Sequence, residues 1–84
     1  MNIIERFYHE INGIIVYNNL KYVSKHSISL QICPLEDCFL LNFAARFNGK
    51  TKYIATRIEH NEPNNLIWAK VQASLCELNN KLGE

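Results

Sequence analysis

"FLLNFAARFNGKTKYIATRI", residues 39–58, alternates apolar and mixed side chains on both sides of Asn48-Gly49. Asn-Gly supplies the two positive-φ residues of a tight hairpin turn, so the spacing predicts two antiparallel strands joined there. A two-residue turn sets Phe47 opposite Lys50, Phe43 opposite Ile54, Leu41 opposite Thr56 and Phe39 opposite Ile58. One face of the hairpin is then apolar, and a slip of one residue would set it against the other face.

The alternation extends upstream. In "SISLQIC", residues 27–33, Ile28, Leu30 and Ile32 share one face, while Ser27, Ser29, Gln31 and Cys33 share the other. Setting Cys33 opposite Cys38 across "CPLEDC" makes a four-residue loop and pairs Ile32 with Phe39, Leu30 with Leu41 and Ile28 with Phe43, all apolar. The meander 27–59 is the centre of the fold.

Helices flank it. Asn2 can cap a helix with Glu5 at capping-box distance, and Ile3, Ile4, Phe7, Tyr8 and Ile11 recur at helical spacing, which predicts a helix over 2–12. Continuing through Gly13 would keep Ile14 and Ile15 on the stripe, but "IIVY" is β-branched and aromatic. Residues 14–17 and 20–24 are therefore expected to form a small hairpin about Asn18-Asn19, which would raise the strand count to five. At the other end Trp68, Val71, Leu75, Leu78 and Leu82, with Ile67 beside them, predict a helix over 64–82. Pro63 suits an early helical position, Asn61 or Asn64 can cap, Glu77 and Lys81 form an i,i+4 pair, and Gly83 comes where the helix should stop.

The expected architecture is α+β in two layers: an N-terminal helix, an antiparallel meander and a C-terminal helix, both helices on the sheet face of Phe39, Leu41 and Phe43. Eighty-four residues suffice for one domain spanning 1–84 with a single core. The 48% apolar and 20% charged content is that of a folding chain, and a formal charge of +1 leaves no general excess for holding phosphates. No apolar run approaches the roughly 20 residues that span a bilayer, and "MNIIERFYHE" lacks the pattern of an export signal, so a cytoplasmic protein is expected. Cys33, Cys38 and Cys76 are an odd set, expected as free thiols in a reducing compartment. Frequent Asn and Ile fit an AT-rich gene of a bacterium, its phage or a mobile element.

Chemistry has few places to reside. His9, His26 and His60 are separated by helix, sheet and loop, no Ser or Cys stands beside a His and an acid in a catalytic pattern, and Cys33-x4-Cys38 lacks a second ligand pair at metal-binding spacing. No catalytic residues, metal or cofactor are expected. Recognition is expected instead on the meander's second face, where Gln31, Asn42, Arg46, Tyr53 and Arg57 lie together, with Tyr53 opposite Ala44 and Arg57 opposite Leu40. Lys50 and Lys52 fall by parity on the core side at the hairpin tip, where they can cover Phe47 or touch phosphates. The last helix carries a second stripe, Leu66, Ala69, Ala73 and Cys76, either buried on a second side or available as a homodimer face.

In element order the chain from the first helix through "FAARFNGKTKYIATRIEH" to the last helix resembles a double-stranded RNA-binding domain, which also runs helix, three-stranded meander, helix. The resemblance implies lysines at the start of the last helix gripping phosphates across a groove. Here that position reads "PNNLIWAK", with Lys70 alone. The expected function is a small non-enzymatic protein-binding module, an inhibitor or accessory factor, with another protein as partner. The alternative is a nucleic-acid-binding domain.

Overall fold

The computed structural model describes the backbone from Ile3 to Glu84 and the side chains from Phe7 onward. Helix α1 (Ile3–Tyr17) leads to strands β1 (Ile28–Pro34), β2 (Cys38–Phe47) and β3 (Lys50–Glu59), followed by helix α2 (Asn64–Gly83). The strands form one antiparallel sheet in the order β1-β2-β3. The α+β architecture expected from the alternation is the one observed, with three strands.

The β2–β3 hairpin has the expected register throughout, from Phe47 opposite Lys50 to Phe39 opposite Ile58. Asn48 and Gly49 take φ of 51° and 79°, the conformation that a two-residue turn demands and that these residue types tolerate.

The β1–β2 register differs by two residues. Ile32 faces Leu41, Leu30 faces Phe43, Ile28 faces Ala45, and Cys33 faces Leu40 rather than Cys38. Pro34 stays in the strand as its last residue, where a missing N–H is tolerated. The Leu35 N–H reaches the Cys38 carbonyl at 2.8 Å, so Glu36 and Asp37 alone form the tip. A two-residue shift leaves every side chain on its own face, so the apolar pattern satisfies both registers and only the turn distinguishes them.

Helix α1 does not stop at Gly13, and residues 14–17 and 20–24 form no hairpin. Ile11 and Ile15 are buried one turn apart with Ile14 beside them, and this continuous stripe outweighs the β preference of "IIVY". The helix ends instead in a Schellman motif. Asn19 adopts φ 53°, the Asn19 N–H reaches the Val16 carbonyl at 3.2 Å, and the Leu20 N–H reaches the Ile15 carbonyl at 3.1 Å. Asn18-Asn19 does supply a positive-φ residue, but as a helix cap. The expected Asn2 cap and its Glu5 partner lie outside the described residues.

The segment 20–27 is a strap across the core. Asn79 Oδ1 accepts the N–H groups of Tyr22 and Val23 at 2.7 and 3.3 Å, which satisfies this irregular backbone and holds Val23 in the interior. The Tyr22 ring meets Phe47 edge-on at 5.0 Å and lies over Gly83, where a Cβ would come within 2.7 Å of it.

One cluster joins the layers: Ile11 and Ile15 from α1, Leu41, Phe43, Ala45 and Ile58 from the sheet, and Val71, Leu75, Leu78 and Leu82 from α2. Phe7 packs on Trp68 between the helices at 5.1 Å. Ser74 is buried within the α2 stripe, and its hydroxyl hydrogen-bonds that of Thr56. At the start of α2 the cap is Pro63, not Asn61 or Asn64: its extended backbone lets the Pro63 carbonyl accept from Leu66 and Ile67. Lys81 reaches the Tyr53 carbonyl at 3.4 Å and makes no ion pair with Glu77.

Candidate functional site

With both helices on one side, the other sheet face is left bare. The registers lay its side chains out in cross-strand rows: Ser29, Ala44 and Tyr53 form one, Gln31, Asn42 and Ala55 the next, and Cys33, Leu40 and Arg57 a third. Arg46 with Thr51 closes one end, and Cys38 with Glu59 the other. Because Ser29, Ala44 and Ala55 are small, the middle of the face sinks into a shallow trough of about 530 Å³, lined also by Gln31, Asn42 and Tyr53. Tyr53 stands beside it with 69% of its surface exposed.

Three of the five expected recognition residues, Gln31, Asn42 and Tyr53, therefore share one concavity, and Arg46 and Arg57 flank it along the strands. Asn42 donates to the Cys33 sulfur at 3.3 Å, which orients its amide across the β1–β2 pair. Arg57 Nε donates to Glu59 Oε1 at 2.7 Å. This hydrogen bond, with the charges around it, holds the guanidinium pKa above its already high ordinary value, so Arg57 is a cation at any working pH.

The face is electrically polarised along its strands. Arg46 shares one end with the turn that carries Lys25, since the Arg46 N–H bonds the Ser27 carbonyl at 3.2 Å. Neither of these two cations has a carboxylate partner among the described residues. The other end bears Glu36, Asp37 and Glu59 about Arg57. Lys50 at the hairpin tip donates to the Glu84 carbonyl at 2.7 Å, and Lys52 is half-buried.

At the start of α2, Lys70 Nζ is occupied by Glu62 Oε1 at 2.7 Å and the Arg57 carbonyl at 3.0 Å. The second oxygen of the nearly enclosed Glu62 carboxylate has no partner among the described residues. The position where an RNA-binding domain would present free lysines thus presents Asn64, Asn65 and a lysine already committed. No residue pattern pointed to the Glu62–Lys70 pair, because its members belong to a loop and a helix that meet only after folding.

The stripe of Leu66, Ala69, Ala73 and Cys76 is not buried on a second side. Leu66 is 49% exposed, Ala69 and Ala73 are exposed, and Cys76 is half-buried. The three cysteines are free. Cys38 is on the outer face by parity yet only 2% exposed, which makes it a packing residue of the strand end. His9 and His26 are exposed on α1 and the strap, and His60 meets Phe39 edge-on at 4.6 Å. Among the described residues no group of three His, Cys, Asp or Glu side chains could hold a metal ion. No described helix is long and apolar enough to cross a membrane.

No family model matches the chain, and neither a curated protein nor a solved structure is significantly similar to it.

Proposed function

We propose that the protein is a small, non-enzymatic protein-binding module, of inhibitor or accessory type, that meets its partner through the bare face of the sheet. One observation carries the reading: an exposed tyrosine stands beside a trough floored by Ser29, Ala44 and Ala55 and flanked by two arginines. Tyrosine brings a large, rigid contact surface at low entropic cost, and arginine adds directional hydrogen bonds, which is why these residue types dominate binding energy at interfaces. Near-neutral charge and the committed Lys70 favour a protein partner over a nucleic acid.

The test compares the parent and Tyr53→Ala as baits of equal fold, alongside a low-salt gel shift with duplex RNA and DNA. The reading expects a protein retained by the parent and lost by Tyr53→Ala, with no shift of either nucleic acid. Equal capture by both baits, or a nucleic-acid shift that weakens steeply with salt, contradicts it.

A further inference from the structure

We infer that the occupant of the bare face is a second copy of the same chain, packed sheet on sheet with strands antiparallel about a two-fold axis through the row of Gln31, Asn42 and Ala55. This rests on the proposed interaction surface and names what covers it.

The registers make the face self-complementary. A two-fold axis in the interface plane and across the strands exchanges the end rows and exchanges the rows on either side of the axis. Arg46 then lies over the second copy's Cys38 and Thr51 over its Glu59, which sets the Arg46 guanidinium one strand spacing of about 4.8 Å to the side of that carboxylate. Tyr53 lies over Arg57, where a guanidinium can stack on the ring. Ala44 meets Leu40, Ser29 meets Cys33, and the Asn42 and Gln31 side chains meet their own counterparts at the axis. Each contact away from the axis occurs twice, as an isologous interface requires. Aligned sheets pack about 10 Å apart, and the larger Leu40 and Cys33 of each copy lie over the small Ala44 and Ser29 of the other.

Charge selects this arrangement. The basic end with Lys25 and Arg46 lies over the acidic end with Glu36, Asp37 and Glu59, whereas a two-fold axis along the strands would set like ends together. A nucleic acid, uniformly negative, would gain at one end and be repelled at the other. The free sheet edges are partly occupied as well: Tyr8 takes the Leu30 N–H at 3.1 Å, and Lys81 and Lys70 take the Tyr53 and Arg57 carbonyls. Strand addition at an edge is thereby hindered, and the face remains.

Size sets the strength. Three strands about 4.8 Å apart and eight residues of about 3.3 Å rise give a footprint on the order of 400 Å² per copy. Standard interfaces bury about 800 Å² per partner, so the dimer belongs to the weak, concentration-dependent class.

The test is sedimentation or light scattering from about 10 μM to about 1 mM, the range in which such a Kd falls. The parent should dimerise, and Arg46→Glu and Glu59→Arg should each weaken self-association about tenfold or more. The chain carrying both substitutions should recover the parental Kd, and mixing the two single variants should restore association, because each supplies the charge the other lost. A parent monomeric throughout, no recovery in the doubly substituted chain, or a dimer broken by Ala73→Glu but not by Arg46→Glu overturns the inference. If the parent is monomeric yet Tyr53→Ala still abolishes capture of a different protein, this inference fails and the interaction surface stands. If Tyr53→Ala changes neither, both fall.

Discussion

Phe43 and Ala44 are consecutive residues of β2 that face opposite ways, Phe43 into the core at 1% exposure and Ala44 into the trough beside Tyr53. Truncating the core residue, Phe43→Ala, should cost about 3–5 kcal/mol through lost burial and the cavity left behind. Tyr53→Ala removes a side chain that touches little of its own molecule and should change stability by no more than about 0.5 kcal/mol. Urea unfolding of both variants checks the division between folding and recognition. Glu62 carries a pH dependence of known sign. The Lys70 hydrogen bond first, then the Glu59 N–H, hold its pKa below the ordinary carboxylate value, against the opposing effect of burial. A group with a depressed folded pKa stabilises the fold above its unfolded pKa of about 4.3 and loses that contribution as pH falls through the folded value. The urea midpoint should therefore drop across that acid window in the parent, and the part due to Glu62 should be missing in Glu62→Gln. Tyr53 was legible in the sequence because strand parity alone turns it outward. Glu62 was not, since its partners come from β3 and α2.

At the scale of elements, the hairpin at Asn48-Gly49 and helix α2 follow from turn chemistry and periodicity. The two departures have separate physical causes. Asn18-Asn19 marks a positive-φ position, which serves a hairpin turn or a helix C-cap equally well, and burial of Ile11 and Ile15 decides for the cap. The β1–β2 register was ambiguous because alternation has a period of two and cannot detect a shift of two. Because α1 runs through Gly13, whose added Cβ would meet nothing within 4 Å, Gly13→Ala should stabilise the protein by about 0.5–1 kcal/mol. A strand at 14–17 would predict no such gain. Asn19→Ala should cost about 1–2 kcal/mol, the penalty of a left-handed backbone at a residue with a Cβ. Thermal or urea unfolding of the two variants tests helix and cap independently.

For the whole molecule, two helices cover one face of a three-stranded sheet and leave the other bare, with small residues at its centre and opposite charge at its ends. The separation into a core face and an outer face could be read from the alternation. The polarity of the outer face could not, because it needs the β1–β2 turn, the strap and the β2–β3 hairpin assigned to their ends of the sheet. The amide spectrum of isotope-labelled parent, followed as its own unlabelled copy is added, separates the surfaces in a single titration. Shifts or broadening should appear at Ser29, Gln31, Asn42, Ala44, Tyr53 and Ala55, with Leu66, Ala69 and Ala73 unchanged. Changes confined to the α2 positions, with the sheet rows silent, would show that the bare face is not where this protein meets another.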